Sequence, residues 1–117
     1  MTERPKNPDF TDTALVSHII YECEKIVRLT ESIDFETYLK STMYQDAIIR
    51  PLEVIGEAAG KLSKEFEEKH PEIPVHELRS LRNILIHQYF RVDIEYVWHA
   101  AAEEIPDVLT RFLTIKE

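Results

Sequence analysis

From Tyr44 to Phe66 the apolar residues recur at helical intervals. Tyr44, Ile48, Leu52, Ile55, Ala59, Leu62 and Phe66 follow at steps of four, four, three, four, three and four. Those steps place all seven on one face of a helix, whereas a strand would alternate every second residue. A one-sided helix must be covered by other elements, so the pattern commits the chain to packed helices. Only two glycines in 117 residues, and few hairpin turn signals, argue against an all-β alternative. Pro51 lies within the periodic segment, which spans 42–68, and predicts a kink or break near it. Gly56 and Gly60 stand four apart, where helix interiors disfavour glycine, so close approach of a second helix is the favoured reason for them.

The rest of the chain follows the same grammar. Residues 1–10, with Pro5 and Pro8, read as a flexible tail, and 11–117 as a single helical domain. Thr11 or Asp12 caps a first helix running to about Thr30, with Leu15, Ile19, Ile26 and Leu29 at helical spacing. Asp34-Phe35 opens a short helical turn. The connector "HPEIPVHE" leads through Pro74 into a helix over 75–87. Asp93 caps a last helix with Val97, Ala101, Ile105, Val108 and Phe112 as its stripe, and Pro106 predicts a kink in it. The expected fold is all-α: an antiparallel bundle of four main helices plus a short one.

Composition narrows the function classes. Cys23 is the sole cysteine, so no internal disulfide forms, and a reducing compartment fits best. There is no export signal, and no apolar run approaches the length of about 18 residues that a membrane span needs. A soluble, cytoplasmic protein with no membrane role is therefore expected. The net charge of −8 opposes nonspecific nucleic-acid binding. Any RNA contact must use a local patch, for which Arg79, Arg82 and Arg91 are candidates, although three solvated surface arginines explain them equally well. His18, His70, His76 and His99 are scattered, with no HExxH and no cysteine pair, so neither a metal nor a cofactor is expected. His70 and His76 read as solvated, and Tyr44, Trp98 and Phe112 as core or interface.

The stretch "RNILIHQYF", residues 82–90, mixes polar groups into an apolar helix end. On a wheel with Leu78 at zero, Leu81, Ile84, Leu85 and Gln88 fall between about 240° and about 340° and complete the core stripe. Arg82 falls at about 40° on the same wheel. Asn83 falls at about 140° and His87 at about 180°, as i, i+4 neighbours away from the core. Ile86, at about 80°, suggests that this second face is covered too, most simply by a second subunit. Two copies would then place two sets of Arg, Asn and His around one cleft. Spacing alone leaves a structural role open: Arg82 paired with a carboxylate, Asn83 bonded to backbone, and His87 at the helix C-terminus, where its cation is favoured.

The pattern Arg, four residues, His, one residue, Tyr in "RNILIHQY" resembles the motif of HEPN-domain proteins of the HepT-like (DUF86) type. The similarity runs from about residue 12 to 113, with "QDAIIRPLEVIGEAAGKLS", "HPEIPVHELRSLRNILIHQYF" and "VDIEYVW" matching in order. The resemblance implies a homodimeric helical bundle with active sites where motif helices meet. It also implies a metal-independent endoribonuclease toxin silenced by a cognate nucleotidyltransferase antitoxin that transfers AMP to the motif tyrosine. Carried over by position, Arg82 and His87 are catalytic, Asn83 supports them, and Tyr89 is the AMPylation site. Two positions depart from the family pattern. Gln88 replaces a common glycine between His and Tyr, and Pro51 replaces a common asparagine, which bears on the placement of Arg50. The alternatives are a non-catalytic HEPN-type module binding a nucleotide or a protein, and a purely structural dimeric bundle.

Overall fold

The computed structural model describes residues 11–87 and 92–115, and of His87 the backbone only. The expected tail, and Gln88, Tyr89 and Arg91, lie outside the described residues. The described residues are helical throughout: α1 (Asp12–Ser32), α2 (Phe35–Leu39), α3 (Thr42–Gly60), α4 (Lys64–Lys69), α5 (Val75–His87), α6 (Ile94–His99), a π-helical turn (Ala100–Glu104) and α7 (Ile105–Ile115). The all-α class is as expected, but among the described residues α4 is a second short helix beside α2, and the expected last helix is divided into α6, the π-helical turn and α7.

Local chemistry sets most boundaries. The side chains of Thr11, Asp34, Ser41, Ser63 and Asp93 accept backbone N–H groups in the first turns of α1, α2, α3, α4 and α6, satisfying donors that lack intrahelical partners. The break expected near Pro51 is absent, because α3 runs through it. The carbonyl deprived of a donor there belongs to Ala47, an exposed residue. The interruption comes later, after Gly60. Asp12 accepts from Ser63 N–H at 2.9 Å and from the Ser63 hydroxyl at 2.6 Å, and this holds the start of α4 against the start of α1. Just before Pro106 the last helix is interrupted by a π-helical turn. The Ile105 N–H reaches Ala100 O, five residues back, which takes up the irregularity that a missing proline N–H creates.

The helices run antiparallel where their contacts define direction. Gly56 of α3 meets Arg82 of α5, and Gly60 meets Arg79. Asp12, opening α1, meets Ser63 just beyond the end of α3. The core joins Ile19, Ile20, Cys23 and Ile26 of α1 to Ile48, Leu52, Ile55 and Ala59 of α3. Leu78, Leu81 and Leu85 of α5 and Val97, Ala101, Ile105, Val108 and Phe112 of the last rod complete it. Tyr38 is wholly enclosed, and its hydroxyl donates to Ile94 O at 2.7 Å, tying α2 to the start of the last rod.

One core expectation fails. Ile84 was placed on the buried stripe of α5, yet it is 39% exposed. Helix α5 packs chiefly on α3, and a groove of about 660 Å³ separates its other flank from α6, the π turn and α7. Ile84, at the edge of the stripe, opens into that groove with Tyr96, Leu81 and Val108.

Candidate functional site

The site is built on the last two turns of α5. Arg82 is half-buried and Asn83 exposed. The Arg82 Nη1 donates to Asn83 Oδ1 at 3.1 Å, so the two residues singled out from the sequence do meet. The Arg82 Nε is out of reach of solvent and has no hydrogen-bond partner among the described residues. No described carboxylate forms an ion pair with Arg82, so the structural role left open for it, pairing with an acid, is not what the described residues show. The backbone of His87 closes α5 one turn beyond Asn83, which keeps the i, i+4 relation of the pair. Tyr89 lies outside the described residues.

Arg82 departs from the expectation that the polar groups stand clear of the bundle. Its Cβ rests on α3 at Gly56, so the stem is packed while the guanidinium reaches Asn83. The signal was present as a glycine in a helix interior, but a single sequence does not say which helix approaches. Gly60 is different: a Cβ there would meet only Arg79, with Nε at 3.5 Å, an ordinary contact.

The antiparallel register runs from Gly56 back toward the start of α3 as α5 runs forward from Arg82. With equal rise per residue on both helices, Glu53 and Arg50 come to the level of the end of α5. Arg50 Nη1 lies 3.4 Å from Glu53 Oε1, with Arg50 exposed and Glu53 largely covered. Arg50 thus comes level with the end of α5 despite Pro51 beside it. Glu53 is a covered acid at the same level. Arg79 does not add a free charge, because Glu67 lies 3.5 Å from it. Ile86 is 38% exposed on the Asn83 side, as its wheel position predicted.

The remaining titratable groups serve packing. Burial, reinforced by Glu22 and Glu24, pushes the Cys23 thiol far up, so it stays protonated. The Thr37 side chain and backbone N–H hold the Asp34 carboxyl below its ordinary value. His70 is less solvated than expected, its ring tilted against Phe66 with centroids 4.7 Å apart and its Nδ1 3.6 Å from Glu72. Among the described residues no three His, Cys, Asp or Glu side chains gather to hold a metal ion. No described helix is long and apolar enough to cross a membrane.

A helical domain whose motif helix carries Arg82, Asn83 and His87 at this spacing defines a class, and comparison with known proteins gives it a family. Residues 19–114 match the family model described as "Ribonuclease HepT-like", and the chain belongs to that family. A protein of Caldanaerobacter subterraneus subsp. tengcongensis named "Putative RNase" is 39% identical over 98 residues, covering 84% of this chain and 88% of the relative. A Methanocaldococcus jannaschii protein of the same description is 41% identical over 99 residues, covering 85% of each. A Thermococcus cleftensis protein named "Probable ribonuclease HepT" is 39% identical over 94 residues, covering 80% of this chain and 86% of the relative. No solved structure gives a significant match.

Proposed function

We propose that the protein is a metal-independent endoribonuclease toxin of a type VII-like toxin–antitoxin pair. Family membership supports the ribonuclease reading. The observation that carries it to particular residues is the Arg82 side chain, braced by Asn83 and keeping a buried Nε unpartnered among the described residues. RNA brings its own nucleophile, the 2′-OH. His87 takes that proton as the oxygen attacks the adjacent phosphorus, and proton return to the departing 5′-oxygen completes the step. The guanidinium of Arg82 offers parallel N–H groups to the phosphate oxygens as charge builds on them. Asn83 holds the guanidinium through the bond seen here. The products carry a 2′,3′-cyclic phosphate and a 5′-hydroxyl, and DNA, lacking the 2′-OH, is not cut.

Two copies complete the site in this reading. Ile86, exposed beside Asn83, is the apolar residue that a homodimer covers. Silencing is assigned to AMP transfer onto Tyr89 by a cognate nucleotidyltransferase, which places a phosphate and a large base beside the arginine that RNA needs. The test is RNA cleavage by the purified chain in EDTA. Arg82→Ala and His87→Ala each abolish cleavage with the helical circular dichroism unchanged. A requirement for added Mg²⁺, or cleavage persisting in both variants, overturns the mechanism. Binding of RNA or nucleotide without cleavage points instead to a non-catalytic HEPN-type module.

A further inference from the structure

The motif helix is seated on α3 at one place where no side chain intervenes. A Cβ on Gly56 would stand 2.6 Å from Leu78 O and 3.2 Å from Arg82 Cα, and would overlap Arg82 Cβ. Leu78 and Arg82 are i, i+4 partners, so the contact falls on the helical turn that carries the Arg82 side chain. Gly60, one turn along, has ordinary contact distances to Arg79. Close approach is therefore needed at Arg82 and not along the whole crossing. The far end of the side chain is braced by Asn83, and between these two supports lies Nε, out of reach of solvent and unpartnered among the described residues.

Resting on the ribonuclease reading above, we propose that Gly56 is a positioning residue for Arg82. By lacking a side chain it lets α5 close onto α3, which clamps the stem of Arg82 and aims its Nη groups, at the Asn83 end, toward a phosphate of the RNA. Restoring ordinary contact, which begins at 3.4 Å, requires alanine at this position to push Leu78 O away by about 0.8 Å. A misplacement of roughly 1 Å at a reacting group costs on the order of 100-fold in rate. Helix propensity works in the opposite sense, since alanine is the better helix former, so lost activity in a well-folded variant reports geometry.

The experiment compares the full chain with Gly56→Ala, Gly60→Ala, Arg82→Ala and the Gly56→Ala/Arg82→Ala double variant. It reads cleavage of RNA and anisotropy of a labelled 2′-O-methyl oligoribonucleotide, which binds without being cut. Gly60→Ala should match wild type. Gly56→Ala should lose about 100-fold in kcat and bind the uncleavable RNA more weakly, and adding it to Arg82→Ala should cause no further loss of binding. Binding losses that multiply in the double variant, or equal losses of kcat for the two glycine variants, overturn the proposal. Should Gly56→Ala lack the helical circular dichroism of wild type, the wild-type chain decides. Its Arg82 Nε–H resonance, assigned by its disappearance in Arg82→Ala, must shift on adding the uncleavable RNA, and an unmoved resonance overturns the proposal. A wild-type chain that binds but does not cut sinks the nuclease reading alone and leaves the binding arm to judge Gly56. One that neither binds nor cuts overturns both.

Discussion

Replacing Tyr38 with phenylalanine removes one oxygen and leaves the enclosed ring in place. The lost bond is the 2.7 Å donation to Ile94 O, spanning 56 residues of sequence. Ile94 opens α6, where helical geometry gives its carbonyl a second donor in the Trp98 N–H. The acceptor is thus not orphaned, and the cost should be that of one net hydrogen bond, about 1 kcal/mol. That corresponds to a fall in Tm of roughly 4–6 °C for a domain of this size. The phenol also carries a pH signature. Burial, with the nearby Asp93 charge, pushes its pKa from 10.0 up to about 12. The folded state therefore holds the proton more tightly than the unfolded chain. The associated stability is complete below pH 10 and is lost as pH rises through 12. Urea unfolding of wild type and Tyr38→Phe, run from pH 7 to 12, should show a gap of about 1 kcal/mol that narrows above pH 10. Other tyrosines and lysines titrate equally in both proteins, so the difference isolates Tyr38. A gap that stays constant across that range, or no gap at pH 7, would refute the reasoning.

Ile86→Glu should shift the chain from dimer to monomer in sedimentation at micromolar concentration, because an unpaired charge at an apolar interface is costly. A wild-type chain that sediments as a monomer removes the dimer itself. Tyr89→Phe should retain RNA cleavage but escape silencing when co-expressed with the cognate transferase. Intact-mass spectrometry should show an AMP-sized increase in wild type only, and an increase in the variant assigns the modification elsewhere.

What was legible from the sequence was whatever local rules govern. The apolar steps from Ile48 to Ala59, and from Val97 to Phe112, specified buried faces that the structure keeps. Thr11, Asp34 and Asp93 marked helix starts, because a side-chain acceptor at that position satisfies donors within its own turn. The spacing of Arg82, Asn83 and His87 was equally local, so their common helix was readable. The tertiary structure decided what depends on which faces meet. Helix α3 runs through Pro51 and stops at Gly60, beyond which Asp12, 51 residues away, holds Ser63. Whether Ile84 was core or groove turned on α5 packing chiefly on α3. On the wheel Arg82 fell at about 40°, beside the core stripe, with no helix specified against it. It is seated against α3, because glycine at position 56 removes the one side chain that would have kept the two backbones apart.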